Sequence, residues 1–165
     1  MESEIEWGAF PDSAFGRPVP NHPQVGRAGT SAVILNDAHE VLLELRSDFK
    51  LWGLPGGRMD IGESVEETVV REVLEETGLT VRIERLVGVY SDPRQYGIVA
   101  YPNGDVVHAV VMCFVCKCVS GELKYSAESL DLRYFSTDSL PDDMMKIHRL
   151  QVEDAISARP QPFIR

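Results

Sequence analysis

The sequence predicts an α/β domain in which helices flank a mixed β-sheet. Apolar and β-branched runs typical of strands lie on both sides of one strongly marked helix, and a second helical segment follows the last run. The 165 residues are most simply one domain, and 44% hydrophobic with 25% charged residues is ordinary globular composition. We expect residues 27–165 to form this domain.

Residues 1–26 are expected to form an irregular N-terminal arm. Pro11, Pro18, Pro20 and Pro23 each remove a backbone donor, which disfavours regular structure. The arm could pack on the domain or on a partner subunit.

The first two strands are predicted at residues 30–35 and 41–45, with a turn at Asn36 and Asp37 between them. A glycine-rich loop, residues 52–57, follows the second strand. Glycine allows the backbone of such a loop to approach a ligand closely.

A helix is predicted from Ser64 to Thr77. Ser64 is a plausible N-cap and Glu67, three residues later, completes a capping box. Gly78 is suited to the left-handed position that ends a helix. The apolar face of this helix is expected to pack on the core through five residues: Val65, Val69, Val70, Val73 and Leu74.

Three more strands and a helix are predicted beyond this point. Residues 81–89 and 132–135 are strand-like, and residues 106–119 form a long β-branched run expected to be the central buried strand. The last helix is expected to begin at Asp142 or Asp143 and to run to about residue 158.

The charge balance limits the partners of the protein. A formal net charge of −10 disfavours generic binding to a nucleic-acid backbone or an anionic membrane, because both require a basic surface. No apolar run approaches the ~20 residues that span a bilayer, and the acidic residues 1–7 do not resemble a secretory signal. We therefore expect a cytoplasmic protein.

Three cysteines lie in the long strand. Strand alternation directs Cys113 away from Cys116 and Cys118, and no second group of cysteines or histidines accompanies them. We expect reduced, buried thiols rather than a zinc site or a disulfide framework.

The predicted helix carries an acidic face. Glu72, Glu75 and Glu76 are spaced i, i+3 and i+4, so their side chains are neighbours and repel one another. Carboxylate oxygens are ligands for Mg²⁺, which is commonly shared with substrate phosphates. The alternative is a solvated acidic face with no ligand.

The spacing across residues 57–79 resembles the Nudix box, Gly-x5-Glu-x7-Arg-Glu-U-x-Glu-Glu-x-Gly-U, where U is a bulky aliphatic residue. All nine fixed positions match: Gly57, Glu63, Arg71, Glu72, Val73, Glu75, Glu76, Gly78 and Leu79. The resemblance implies a Nudix-type α/β/α sandwich that hydrolyses a nucleoside diphosphate linked to another group. It also implies a possible homodimer.

The resemblance implies roles for individual residues. Glu72, Glu75 and Glu76 would bind Mg²⁺ or Mn²⁺, with the Gly56 carbonyl as a lesser candidate ligand. Arg71 would orient the glutamates, a task that suits its planar guanidinium, and Glu63 would complete that network.

The general base is left open between the three helix glutamates and one residue outside the box. Glu128 and Asp131 lie where relatives often supply a further carboxylate, and Glu128 is favoured. The alternative for Glu128 and for Asp131 is a solvated loop carboxylate with no catalytic role.

Candidate substrate contacts are Arg46, Lys50, Arg94 and Tyr96. In the family, a proline beyond the box often accompanies ADP-ribose activity, and a tyrosine there accompanies dinucleoside polyphosphate activity. Pro93 and Tyr96 are both present. We expect a nucleoside diphosphate sugar such as ADP-ribose, with dinucleoside polyphosphates, nucleoside triphosphates or non-catalytic nucleotide sensing as alternatives.

Several other residues are expected to be structural. Trp52 is interpreted as a packing residue, His108 as a hydrogen-bonded histidine of the long strand, and Met144 and Met145 as fillers of the helix core.

Overall fold

A computed structural model describes residues 25–157 and 159–165, and these residues form eight strands and two helices. The helices are α1 (Val65–Thr77) and α2 (Lys146–Ile156). The strands are β1 (Val25–Ile34), β2 (Glu40–Arg46), β3 (Trp52–Gly53), β4 (Leu79–Tyr90), β5 (Ile98–Ala100), β6 (Val106–Gly121), β7 (Ser129–Ser136) and β8 (Phe163–Ile164).

The strands form two sheets. In the larger sheet the order is β1-β6-β4-β8, with β5 also paired to β6. β6 runs parallel to β1 and antiparallel to β4 and β5, so the sheet is mixed and the long strand lies inside it, as predicted. The smaller sheet is antiparallel, in the order β3-β2-β7.

The two helices cover separate hydrophobic clusters. Val69 and Val73 of α1 pack with Ile34 and Phe114, whereas Val152 of α2 belongs to the other cluster. Successive strand residues point to opposite faces, so β1 and β6 each contribute to both clusters. The predicted α/β/α arrangement is confirmed.

Local signals explain the bounds of α1. The Ser64 hydroxyl accepts from the Glu67 amide, the Glu67 carboxylate accepts from the Ser64 amide, and Gly78 adopts φ 75°. The capping box and the glycine terminus are therefore confirmed. Leu74 was expected in the core but is 48% exposed, because it lies off the arc on which Val69 and Val73 are buried.

The last helix begins later than predicted. The Trp52 amide donates to the Asp143 carbonyl, and the Met145 amide donates to the Trp52 carbonyl. These bonds hold residues 143–145 beside β3, so helical geometry starts only at Lys146. Met144 and Met145 are buried in the core, as expected, but they precede the helix.

Trp52, His108 and two of the cysteines have the structural roles expected of them. Trp52 is buried with its ring edge against Phe135, and His108 bonds the Ser91 carbonyl at 2.7 Å, so both structural interpretations are confirmed. Cys113 and Cys116 are buried in different clusters, as alternation predicted.

The expectation of a buried thiol is wrong for Cys118. This residue is exposed because the end of β6 extends past the packed core.

The first strand begins at Val25, so the last two residues of the expected arm lie in β1. Residues 1–24 lie outside the described part of the chain. Among the described helices, none is long and apolar enough to cross a membrane.

Candidate active site

The acidic face of α1 opens into a cleft of about 580 Å³. Residues of β1, of the β5–β6 hairpin and of the start of α2 also line this cleft. Most of the predicted site residues line this cleft: Arg46, Gly56, Arg71, Glu72, Glu75, Glu76, Tyr96 and Glu128.

Arg71 connects the carboxylates at the mouth of the cleft. Its guanidinium donates from Nε and Nη2 to the two oxygens of Glu63, at 2.5 and 2.9 Å. Nη1 donates to Glu72 at 2.9 Å and to Glu75 at 3.2 Å. The hydrogen bond from Arg71 lowers the pKa of Glu63 to about 2, which keeps that carboxylate anionic and fixed to the arginine.

Glu76 lies deeper in the cleft and is 6% exposed. Its Oε2 accepts from the Gly56 amide at 2.7 Å, and its Oε1 lies 3.5 Å from Nη1 of Arg46. Burial raises the pKa of Glu76 well above its usual value, and repulsion from Glu44 adds to the rise. The neighbouring groups therefore do not fully neutralise the negative charge of Glu76.

Glu44 of β2 forms a buried second layer behind the site. Its Oε1 accepts from the Ser129 hydroxyl at 2.5 Å, whereas Oε2 has no hydrogen-bond partner in the described part of the chain. Burial raises the pKa of Glu44 as well. A fully buried carboxyl with one free oxygen increases the negative potential around Glu76.

The side chain of Glu72 approaches Gly57, the first residue of the box, very closely. A Cβ atom at Gly57 would lie 2.6 Å from the carboxyl carbon of Glu72, closer than van der Waals contact allows. Glu72 is itself half-buried, and this burial raises its pKa. The loop backbone and the helix carboxylate are thus in direct contact across the cleft.

Glu128 and Asp131 occupy different environments. Glu128 lines the cleft, and its backbone is held by the Ser47 amide and the Ser126 hydroxyl. Asp131 accepts from the Leu132 amide, Tyr125 and Arg133, the last at 2.6 Å. Of the two, Glu128 is the one placed in the cleft.

The predicted substrate contacts separate into two groups. Arg46 and Tyr96 line the cleft. Arg94 is 75% exposed beside Asp92, and neither Arg94 nor Lys50 is among the lining residues. The structure does not bring these two cations to the site, because the loop after β4 directs Arg94 into solvent.

The cleft contains residues that the sequence did not indicate. The most prominent are Arg27, Arg58, Tyr101, His148 and Gln151. Arg58 follows Gly57 directly, so its position in the box loop was an available signal. The others reach the cleft through long-range packing, which leaves no local pattern.

His148 is buried between the glycine-rich loop and α2. Its Nδ1 accepts from the Leu54 amide at 2.9 Å, so the proton of the neutral ring lies on Nε2. Burial, together with the nearby charge of Arg46, lowers the pKa of His148 to about 3. The ring is neutral at physiological pH.

The donor set fits a hard divalent cation. The cleft is lined by six carboxylates against four arginines, and every candidate ligand is an oxygen. Within residues 25–157 and 159–165, no three acidic, histidine or cysteine side chains converge on one ion-sized point. Arg71 donates hydrogen bonds to both Glu72 and Glu75, so these side chains would have to rearrange to bind a cation together with Glu76.

The carboxylates and arginines that line the cleft are suited to a phosphate-containing ligand bound together with a cation. The NUDIX domain family model matches residues 26–155. The chain therefore belongs to the Nudix family of pyrophosphohydrolases.

Individual relatives carry several names. An ADP-ribose pyrophosphatase of Methanocaldococcus jannaschii is 37% identical over 123 residues, which are 73% of this chain and 66% of that protein. A Bacillus subtilis protein named, provisionally, 8-oxo-dGTP diphosphatase is 48% identical over 66 residues, 40% of this chain and 44% of that protein. The chain thus spans less than half of the Bacillus protein.

A solved structure shows the same fold. The crystal structure of an ADP-ribose pyrophosphatase from Streptococcus suis aligns with a TM-score of 0.63 and 26% identity. The alignment covers 84% of this chain and 98% of the other.

Proposed function

We propose that this protein hydrolyses the pyrophosphate bond of a nucleoside diphosphate sugar, with ADP-ribose as the preferred substrate and Mg²⁺ or Mn²⁺ as the cofactor. The observation that carries the proposal is a cleft lined both by the box glutamates and by aromatic and aliphatic side chains. The names of two relatives support the choice of substrate.

Two sets of lining residues suit the diphosphate and the base of such a substrate. Glu72, Glu75 and Glu76, together with the Gly56 carbonyl, would hold the cation beside the diphosphate. Tyr96 and Tyr101 provide aromatic faces on which a base can pack, beside the aliphatic residues Val99, Val107 and Val111.

The chemistry follows from the charges of the site. A divalent cation would neutralise the phosphate oxygens and lower the pKa of a water molecule that attacks phosphorus. Arg71 fixes the directions of Glu72 and Glu75 through its hydrogen bonds. Glu128 is our candidate for the general base, because it lines the cleft and has no ion pair with another described residue.

Dinucleoside polyphosphates and nucleoside triphosphates remain the second candidates, because Tyr96 lines the cleft. Each additional phosphate adds negative charge, and the cleft already carries more carboxylates than arginines. Longer phosphate chains therefore fit this charge balance less well.

The substrate is tested by comparing kcat/KM for ADP-ribose, diadenosine tetraphosphate and 8-oxo-dGTP in saturating Mg²⁺, with the products identified. We expect ADP-ribose to give AMP and ribose 5-phosphate and to be preferred. A tenfold preference for either competitor, about 1.4 kcal/mol of transition-state binding, would refute the proposed substrate. Binding without turnover of any compound would favour the sensing module.

A further inference from the structure

Three of the four arginines in the cleft are already paired with carboxylates. Arg46, Arg58 and Arg71 each have a carboxylate oxygen within 4.0 Å. Arg27 differs from them. Its guanidinium has no ion pair and no hydrogen bond with any residue in 25–157 or 159–165, although it lines the same cleft.

Strand β1 connects Arg27 to two parts of the cleft lining. On β1, Arg27 is in register with Ala109 of β6, which also lines the cleft. The carbonyl of the next residue, Ala28, accepts from the Met59 amide in the loop that begins the box. β1 therefore links Arg27 both to β6 and to the loop that begins the box.

The environment of Arg27 favours an anionic ligand. The residue is half-buried, so its charge is partly removed from water without an ion pair to any residue in the described part of the chain. An anion bound there gains more than it would at a fully solvated arginine. Asp60, a carboxylate of the box loop that also lines the cleft, already lies within 4.0 Å of both Arg58 and Arg71.

We propose that Arg27 is a substrate-binding residue that holds a phosphate oxygen of the diphosphate. Its planar guanidinium suits bidentate contact with phosphate. The positive charge of Arg27 is available to a phosphate, whereas the other arginines of the cleft already form ion pairs with carboxylates. The inference rests on the proposed function only in requiring a diphosphate, and it does not depend on the sugar or the base.

The test measures binding of methylenediphosphonate, a diphosphate analogue that cannot be hydrolysed, by isothermal titration calorimetry in saturating Mg²⁺. We expect Arg27→Gln to weaken binding at least tenfold, in line with the loss of a hydrogen bond between charged groups. Arg27→Lys should retain part of the affinity. Arg94→Gln is the matched control, because Arg94 lies outside the cleft lining, and it should bind within twofold of the wild type.

Binding by Arg27→Gln within twofold of the wild type would overturn the assignment, and so would an equal loss in Arg94→Gln. Circular dichroism checks that each variant is folded, and Arg27→Met, which keeps the aliphatic stem, replaces Arg27→Gln if that variant does not fold. Because the probe carries no nucleoside or sugar, a failure of ADP-ribose as substrate would leave this result unchanged. With ADP-ribose, Arg27→Gln should raise KM more than it lowers kcat.

Discussion

Glu63 and Glu76 adopt opposite electrostatic states within a single site. Glu63 is held anionic by two bonds from Arg71, which lower its pKa to about 2. Burial moves Glu76 in the opposite direction and raises its pKa, and the amide of Gly56 and the charge of Arg46 only partly offset this effect. Contact with Arg71 and depth of burial therefore move the pKa values of these two glutamates in opposite directions.

Glu76→Gln should reduce kcat by at least ~10²-fold, because groups that hold a metal or transfer a proton typically contribute that much. Removing a buried carboxylate that lacks positive charge should leave the metal-free protein at least as stable. Steady-state kinetics and thermal unfolding measure the two effects. Glu66→Gln on the exposed side of α1 is the control and should remain fully active; an equally active Glu76→Gln enzyme would contradict the assigned role.

His148 should make stability depend on pH. Its pKa is about 3 in the folded protein and about 6.5 in the unfolded chain, so the unfolded state binds more protons between these values. The stabilisation is complete above pH 6.5 and is lost as the pH falls. Between pH 7.5 and 5.5 the loss from this residue should be about 1.4 kcal/mol.

Urea denaturation of the wild type and of His148→Gln at the two pH values measures that loss as a difference, which cancels the titration of shared carboxyls. His39→Asn, at an exposed turn, should keep the full pH dependence of the wild type. Parallel pH profiles for the wild type and His148→Gln would show that the histidine does not contribute.

At the scale of elements, α1 is the part of the structure that the sequence specifies most completely. Its start, its end and its acidic face all depend on residues within one short segment, and the capping box is present as predicted. Nothing outside the helix is needed to recognise these signals, and so the box and its geometry could be predicted together.

Ser64→Ala should destabilise the protein by about 1 kcal/mol, because the Glu67 amide would lose its acceptor at the N-terminus of α1. Urea denaturation should show a lower midpoint with an unchanged m-value. Ser139→Ala in an exposed turn is the control and should have a midpoint close to that of the wild type. Equal midpoints for both variants would mean that the cap does not contribute to stability.

Short strands were missed because their formation depends on partners elsewhere in the chain. β3 and β8 have two residues each, and β5 has three, which is too few for a periodic pattern. The same limit applies to the site. His148 reaches Leu54 across 94 positions of sequence, and Arg27 reaches the cleft only because β1 pairs with β6.

At the scale of the whole molecule, both the chain and the lining of the cleft carry an excess of acidic over basic side chains. The chain carries a net charge of −10, and the cleft has six carboxylates against four arginines. A diphosphate would be repelled by this arrangement unless a cation bound with it. The acidic character that disfavours generic binding to a nucleic-acid backbone is thus the same property that favours a metal ion in the proposed reaction.

Removal of divalent metal should therefore abolish turnover and lower stability together. Excess EDTA should reduce turnover of ADP-ribose at least ~100-fold, and Mg²⁺ or Mn²⁺ added beyond the chelator should restore it. A cation at about 100 times its dissociation constant stabilises the folded state by about 2.7 kcal/mol, which corresponds to roughly 5–10 °C in the unfolding midpoint. KCl at matched ionic strength is the control for charge screening. Glu76→Gln should show a smaller metal-dependent rise in the unfolding midpoint. Unchanged turnover of a confirmed substrate in saturating EDTA would show that the acidic cleft works without a metal.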